Sequence, residues 1–307
     1  MSATASRVDR DDTRALDLRA WKGFDVRLLP DRGFDIGPAW FAGHPVAWVS
    51  AVGETGPIDD LSGFAWSQGF GGGLMVTCGL RNVGMPSEGH GLHGTFSHLA
   101  AETVAVSRVI DGATAHITAR AVITDDAAPG PLRVERVIRN HAMGARLEVS
   151  DRTTNLGNEP TAAPLLYHFN FGYPLWGPGA RLSIPTGHTI ARDVASRASL
   201  DSWQSPPHVE TTDERVLEHE IVPVDGWGAA SIRNEALGIE LSLHWRFAEL
   251  PRLHQWIDPS PGMYVLGIEP ANCSTMGRAH DRAEGRLPHL DPGETRDTTL
   301  VVTARRL

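Results

Sequence analysis

Residues 132–140 read Leu-Arg-Val-Glu-Arg-Val-Ile-Arg-Asn. In an extended chain successive side chains point to opposite faces. As a strand, the stretch places Leu132, Val134 and Arg136 on one face and Arg133, Glu135 and Val137 on the other. The same alternation runs through Ala145–Thr153, Thr114–Ile123, Leu237–Trp245, Met263–Glu269 and Thr298–Thr303. Turn formers separate these runs, as at Asp111-Gly112, Asn155-Leu156-Gly157-Asn158 and Asp291-Pro292-Gly293. The 32 glycines and 21 prolines are spread along the chain, which disfavours long helices. Only Arg192–Leu200 suits a short one. The pattern predicts an all-β protein of stacked antiparallel sheets. No repeat and no linker divides the 307 residues. A single domain over residues 15–307 is expected, preceded by a flexible N-terminal arm over residues 1–14.

Composition narrows the chemistry. Lys+Arg number 28 against Asp+Glu 37, a net charge of −9. That sign argues against nucleic acid or an anionic membrane as partner. Lys22 is the single lysine, which disfavours Schiff-base and P-loop chemistry. The run Gly69-Phe70-Gly71-Gly72-Gly73 lacks the spacing of a dinucleotide fingerprint, and no serine nucleophile elbow is present. No cofactor is implied. Two cysteines, Cys78 and Cys273, are too few for a disulfide framework. No stretch approaches about 18 consecutive apolar residues, so no membrane span is expected. Met1–Ala20 has no apolar core of a secretory signal, so a cytoplasmic location is expected.

Four segments carry candidate chemistry. In Leu165-Leu166-Tyr167-His168-Phe169-Asn170-Phe171, alternation puts the three aromatics on one face and Leu166, His168 and Asn170 on the other. His168 reads either as a histidine satisfied by a carbonyl within a sheet or as a functional group aimed at a polar surface. Glu269 closes the apolar strand that begins at Met263. Desolvation there raises a carboxyl pKa towards neutrality, as a general base requires; Glu269 reads equally as a strand-end glutamate paired with one of the many arginines. Gly267 lies on the same face and leaves room beside the carboxylate. His93, flanked by glycines in Gly89–Gly94, reads as a ligand contact or a solvent-facing loop residue. His90 and His93 sit at an odd offset that points them apart, and no third ligand follows, so no metal is assigned. Arg81 is either a surface arginine or a forked donor to ligand oxygens. Nine tryptophans, among them Trp66, Trp203 and Trp256, offer flat faces for sugar rings or plain core. The loops Pro57–Gln68, Trp176–Gly187 and Arg278–His289 are expected to shape any pocket.

The segment Asn155–Pro174, N-L-G-N-E-P-T-A-A-P-L-L-Y-H-F-N-F-G-Y-P, resembles the aldose 1-epimerase (galactose mutarotase-like) superfamily, as do Leu92-His93-Gly94 and the late Glu269. Asp31–Trp48, with D-R-G-F-D-I-G, and Gly72–Gly84, G-G-L-M-V-T-C-G-L-R-N-V-G, are similar to the aldose-epimerase-like branch once known only as a domain of unknown function. The resemblance runs from about Leu16 to Leu307. It implies a large β-supersandwich with a monosaccharide cleft. It also implies Glu269 as base on the anomeric hydroxyl, His168 as acid on the ring oxygen, and His93 as a substrate-binding residue. Arg81, Asn170 and Gln255 are the further expected substrate-binding residues. Gly94–Ser97 lacks the arginine of hexose-6-phosphate epimerase relatives, so a phosphorylated sugar is not implied. The expected activity is interconversion of the anomers of a free sugar or sugar acid. The alternatives are isomerisation of a keto or uronic sugar in the same cleft and a non-catalytic carbohydrate-binding domain. Paired sandwiches are common, which leaves a homodimer open.

Overall fold

The computed structural model describes residues 3–10, 13–110, 115–209 and 213–307. The alternating runs are strands. Leu132–His141 is buried at Leu132, Val134, Arg136, Ile138 and Asn140, and open or half-open at the residues between. Ala145–Asn155, His116–Asp125, Ile239–Arg246, Val265–Ala271 and Thr295–Arg306 are the strands of the other runs. The turn at Asp111-Gly112 lies outside the described residues. The expected short helix is a 3-10 turn, Ala195–Ser199. A helix the periodicity did not signal, Arg278–Ala283, follows Gly277.

Among the described residues the strands form two large antiparallel sheets and one small one. The first sheet holds eleven strands. Its centre runs Asp35–Phe41, Met75–Gly79, Leu165–Phe171, Val265–Ala271, Arg252–Asp258, Arg215–Ile221. The second holds eight, with Ile239–Arg246, Thr295–Arg306, Ala145–Asn155 and Leu132–His141 adjacent at its centre. Ala3–Arg10, within the segment expected to be a loose arm, is an edge strand paired with Thr13–Ala20.

The core lies between the sheets. Leu28, Ile36, Tyr167, Phe169, Phe171, Leu266 and Ile268 from the first sheet meet Leu132, Val134, Ile138, Leu147, Leu300 and Val302 from the second. Each large side chain so buried contributes roughly 1.5–3 kcal/mol. The aromatic face of Leu165–Phe171 is therefore core, as its alternation predicts. The outlier in the opening stretch is Arg136, a charge on an apolar face. It is fully buried between the sheets. Its Nε and Nη2 bind the Asp151 carboxylate at 2.9 and 2.6 Å, and its Nη1 binds Asp35 at 2.7 Å. Nη2 also donates to Thr77 Oγ1 at 2.9 Å, and Tyr167 donates its hydroxyl to Asp151 at 2.7 Å. A paired and hydrogen-bonded charge of this kind is tolerated inside a core.

The first sheet is buried on both sides at its middle. All seven residues of Leu165–Phe171 and all seven of Val265–Ala271 are buried. On the side away from the core, Val76, Cys78, Leu166 and Val216 form a second apolar cluster with Trp48, Trp66, Phe70 and Trp256. The cleft opens in that cluster.

Candidate active site

The site begins with the pairing of two strands. Leu166 is opposite Ala271 and Phe169 opposite Ile268. On that register His168 faces Glu269 across the ladder, and both side chains leave the sheet on the side away from the core. His168 Nε2 lies 3.1 Å from Glu269 Oε1. The contact lacks hydrogen-bond alignment, and Glu269 Oε1 has no hydrogen-bond partner among the described residues. Both residues are almost wholly buried, at 5% and 3% exposure. Gly267, two residues before Glu269, makes room for the pair. A Cβ there would stand 2.7 Å from Glu269 Oε1 and 3.0 Å from His168 Cε1. Gly267→Ala is expected to misplace both groups and to lower turnover by about 10²-fold, the cost of a displacement near 1 Å. Unchanged turnover in the folded variant would show that this spacing is immaterial.

His93 reaches the same place from a tight loop. It is left-handed at φ 56°, as is Gly94 at φ 72°. A Cβ on Gly94 would meet the carbonyls of Asn82 and Gly79 at 2.5 Å, so glycine is required there. The His93 N–H donates to Gly84 O at 3.0 Å, and its carbonyl accepts from Gly79 N at 2.8 Å. The Gly84 N–H donates to His93 Nδ1 at 3.4 Å. That leaves the proton of the neutral ring on Nε2, as a donor for a ligand oxygen.

Aromatic rings wall the three residues. Trp66 is 4.6 Å from the His93 ring and stacks on Phe70 at 4.8 Å. Phe70 and Trp256 each stand 5.3 Å from the His168 ring. The indole N–H groups of Trp48, Trp66 and Trp256 donate to Met263 O, Ser97 Oγ and Glu214 Oε2 at 2.7, 2.9 and 2.9 Å. With those donors satisfied, the rings offer apolar surface to a ligand. The cleft has a volume of about 430 Å³, which suits a small molecule. Its lining includes His93, His168, Glu269, Arg192, Glu214 and Asp258.

Burial governs the electrostatics. Desolvation pushes the Glu269 carboxyl up to about 8, with Glu214 adding to the rise and Arg192 opposing it. Desolvation drives His168 down to about 3 and His93 down to about 4. Asn170 lies close enough to His168 to favour its protonated form but does not offset burial. At neutral pH the His168–Glu269 pair therefore holds one proton, and His93 is neutral.

Three residues expected at the substrate are not in the cleft lining. Arg81 is buried elsewhere. Its Nε and Nη2 bind the Asp125 carboxylate at 3.0 and 3.2 Å, and Nη2 also donates to Ala127 O and Gly130 O. Its Nη1 has no hydrogen-bond partner among the described residues, but the side chain is buried outside the cleft lining with its Nε–Nη2 fork on Asp125. Gln255 is fully buried between His219 Nε2 at 2.9 Å and Trp203 O at 3.0 Å. Asn170 donates to Gly73 O at 3.0 Å and to the backbone carbonyl of His168 at 2.9 Å, so its amide N–H groups are spent within the sheet.

Sequence reasoning missed the charged rim. Arg192 donates to Asp193 at 2.9 Å and Glu214 at 3.1 Å. Glu214 thus joins Arg192 to Trp256. Arg192 follows the edge strand Thr186–Ala191, and Glu214 precedes Arg215–Ile221. Neither carries a local motif, and only the sheet order brings them to the cleft. Of the three loops expected to shape the pocket, Pro57–Gln68 supplies Phe64, Trp66 and Ser67, and the other two supply no lining residue. Among the described residues no group of three or more His, Cys, Asp or Glu is arranged to hold a metal ion. No helix among them is long and apolar enough to cross a membrane.

This architecture, a two-sheet antiparallel sandwich with an aromatic cleft on the outer side of the larger sheet, is the galactose mutarotase-like fold. A Klebsiella pneumoniae structure described as a "putative aldose 1-epimerase" superposes with TM-score 0.90 at 23% identity, covering 99% of this chain and 84% of that one. A galactose mutarotase-like protein of Clostridium acetobutylicum gives TM-score 0.66 at 14% identity, with 99% of both chains covered. Galactose 1-epimerase of Lactobacillus acidophilus gives 0.62 at 12% identity, again with 99% of both chains covered. No curated protein matches the sequence. By sequence the chain belongs to the family described as "Domain of unknown function (DUF4432)", which it matches over residues 10–304.

Proposed function

We propose that the cleft interconverts the anomers of a free sugar or sugar acid, as an aldose 1-epimerase does. The observation that carries this reading is the His168–Glu269 pair, 3.1 Å apart at the floor of an aromatic-walled cleft. Ring opening needs one group to take a proton and one to give a proton within the reach of a single sugar. Burial leaves the pair's one proton on Glu269 at rest; the reaction runs from the tautomer in which His168 carries it, and Glu269 then takes the hydrogen of the anomeric hydroxyl. The bond between C1 and the ring oxygen breaks, and His168 protonates that oxygen. Rotation about C1–C2 exposes the other face of the aldehyde. Closure returns the ring-hydroxyl proton to His168 while Glu269 protonates the new anomeric oxygen, so no net proton is consumed. His93, with its proton on Nε2, donates to a sugar oxygen and orients the ring. The apolar C–H faces of the sugar lie against Trp66, Phe70 and Trp256.

Exchange NMR on a panel of free aldoses and uronic acids tests the reading. Faster anomer exchange than in buffer is expected for at least one sugar, and tight binding without acceleration on any of them would overturn it. The pH profile has a defined sign. The one-proton state of the pair is lost as pH rises past the Glu269 value of about 8. On the acid side His93 protonates near 4 and His168 near 3. After subtraction of the buffer rate, kcat/KM is expected to be level through neutrality and to fall above about pH 8. A rise through that range would contradict the shared-proton assignment.

A further inference from the structure

Arg32, within the D-R-G-F-D-I-G motif, does not line the cleft. Its guanidinium nevertheless binds the segment that carries Trp66 and Phe70 and the turn Phe96–His98 that holds Trp66. Nε donates to Ser97 O at 2.6 Å, and Nη2 donates to Gly69 O at 2.9 Å. Nη1 donates to Thr55 O and Thr55 Oγ1 at 3.1 and 3.0 Å. Two short paths lead from these acceptors to the site. Ser97 Oγ accepts the indole N–H of Trp66, whose ring lies against His93. Gly69 precedes Phe70, whose ring lies against His168. His98, next to Ser97, accepts the Ile58 N–H on Nδ1 at 2.9 Å and closes the same loop from its other end.

Arg32 is buried, and among the described residues no carboxylate pairs with it; carbonyl and hydroxyl oxygens of irregular backbone hold its charge. A buried cation needs those acceptors. They converge on the guanidinium only while Thr55–Phe70 and the turn Phe96–His98 keep their shapes. A planar five-donor fork can satisfy three separated carbonyls, whereas an ammonium cannot.

We propose that Arg32 is a positioning residue that clamps Thr55–Phe70 against Phe96–His98 and so sets Trp66 and Phe70 against the two histidines of the cleft. Its consequence for sugar binding rests on the function proposed above; the clamp itself does not. The test uses full-length Arg32→Lys and Arg32→Met. Hydrogen–deuterium exchange without any sugar is followed over residues 55–70 and, as reference, over Leu132–His141. Exchange is expected to rise about tenfold or more in the loop alone, the signature of a local opening made easier by one lost anchor. Unchanged exchange in the loop, or an equal rise in the reference strand, would overturn the clamp. In anomer-exchange kinetics KM is expected to rise about tenfold, the size of a lost ring contact, with kcat nearly unchanged and Arg32→Lys milder than Arg32→Met. A fall in kcat at constant KM would overturn the wall's role in binding. If Arg32→Met does not fold, Arg32→Lys gives the same comparison. A loop-specific rise in exchange in a protein that accelerates no sugar would uphold the clamp and overturn the proposed function.

Discussion

Glu269→Gln is expected to abolish anomer exchange while the protein stays folded. Glutamine matches glutamate in shape, so the 430 Å³ cleft and its aromatic walls are kept. What is lost is the carboxyl that faces His168, and with it, on the proposed function, the group that passes a proton to and from the anomeric oxygen. A positioned acid or base contributes roughly 10²–10⁴-fold, and a fall of at least that order is expected in exchange NMR. The same variant carries a stability signature. Glu269 titrates from 4.5 in the unfolded chain to about 8 in the folded one. Its contribution to stability is fully present below about 4.5 and is lost as pH rises to about 8. Wild type should therefore weaken across that interval relative to Glu269→Gln, and the gap in urea midpoints should widen with pH. A variant that keeps the wild-type rate would remove Glu269 from the chemistry. A gap independent of pH would mean that the carboxyl does not feel its burial.

The second large effect concerns folding. Arg136→Met is expected to destabilise the protein by about 3–5 kcal/mol, because it leaves two carboxylates buried without their cation. Asp35 and Asp151 lie on different sheets, and Arg136 touches both at 2.7 and 2.6 Å. Adding Asp35→Asn and Asp151→Asn to Arg136→Met should recover part of the loss, since the unpaired charges are then gone. Denaturant midpoints across the series measure both steps. A loss under about 1 kcal/mol in the single variant would place this arginine among weak surface-like pairs.

These two residues also show what was legible from the sequence. Alternation placed Arg136 on a face with Leu132 and Val134, but its buried network was not read, because its partners lie 101 and 15 positions away. The strands and the paired sheets followed from period two because each strand buries at least one face. The histidine and glutamate strands pointed the right way for the same reason. Arg81 and Gln255 misled because a side chain able to bind a hydroxyl is equally able to bind a carbonyl or carboxylate, and only packing decides between them. Arg192 and Glu214 were invisible because their proximity to Glu269 is a product of sheet order, not of spacing. The loop before Leu74 was legible as a pocket wall in part, through Trp66, but its anchoring by Arg32 is a contact between distant segments.

The ribbon Leu165–Phe171 has no side facing water. Its odd-numbered positions stabilise the sandwich and His168 serves the cleft, so tolerance to change along it should be close to nil. If the proposed function holds, a change of sugar preference would have to work from the periphery, at Phe64, Ser67, Arg192 or Asp258, where a new side chain alters the cleft without disturbing the strand that holds the protein together.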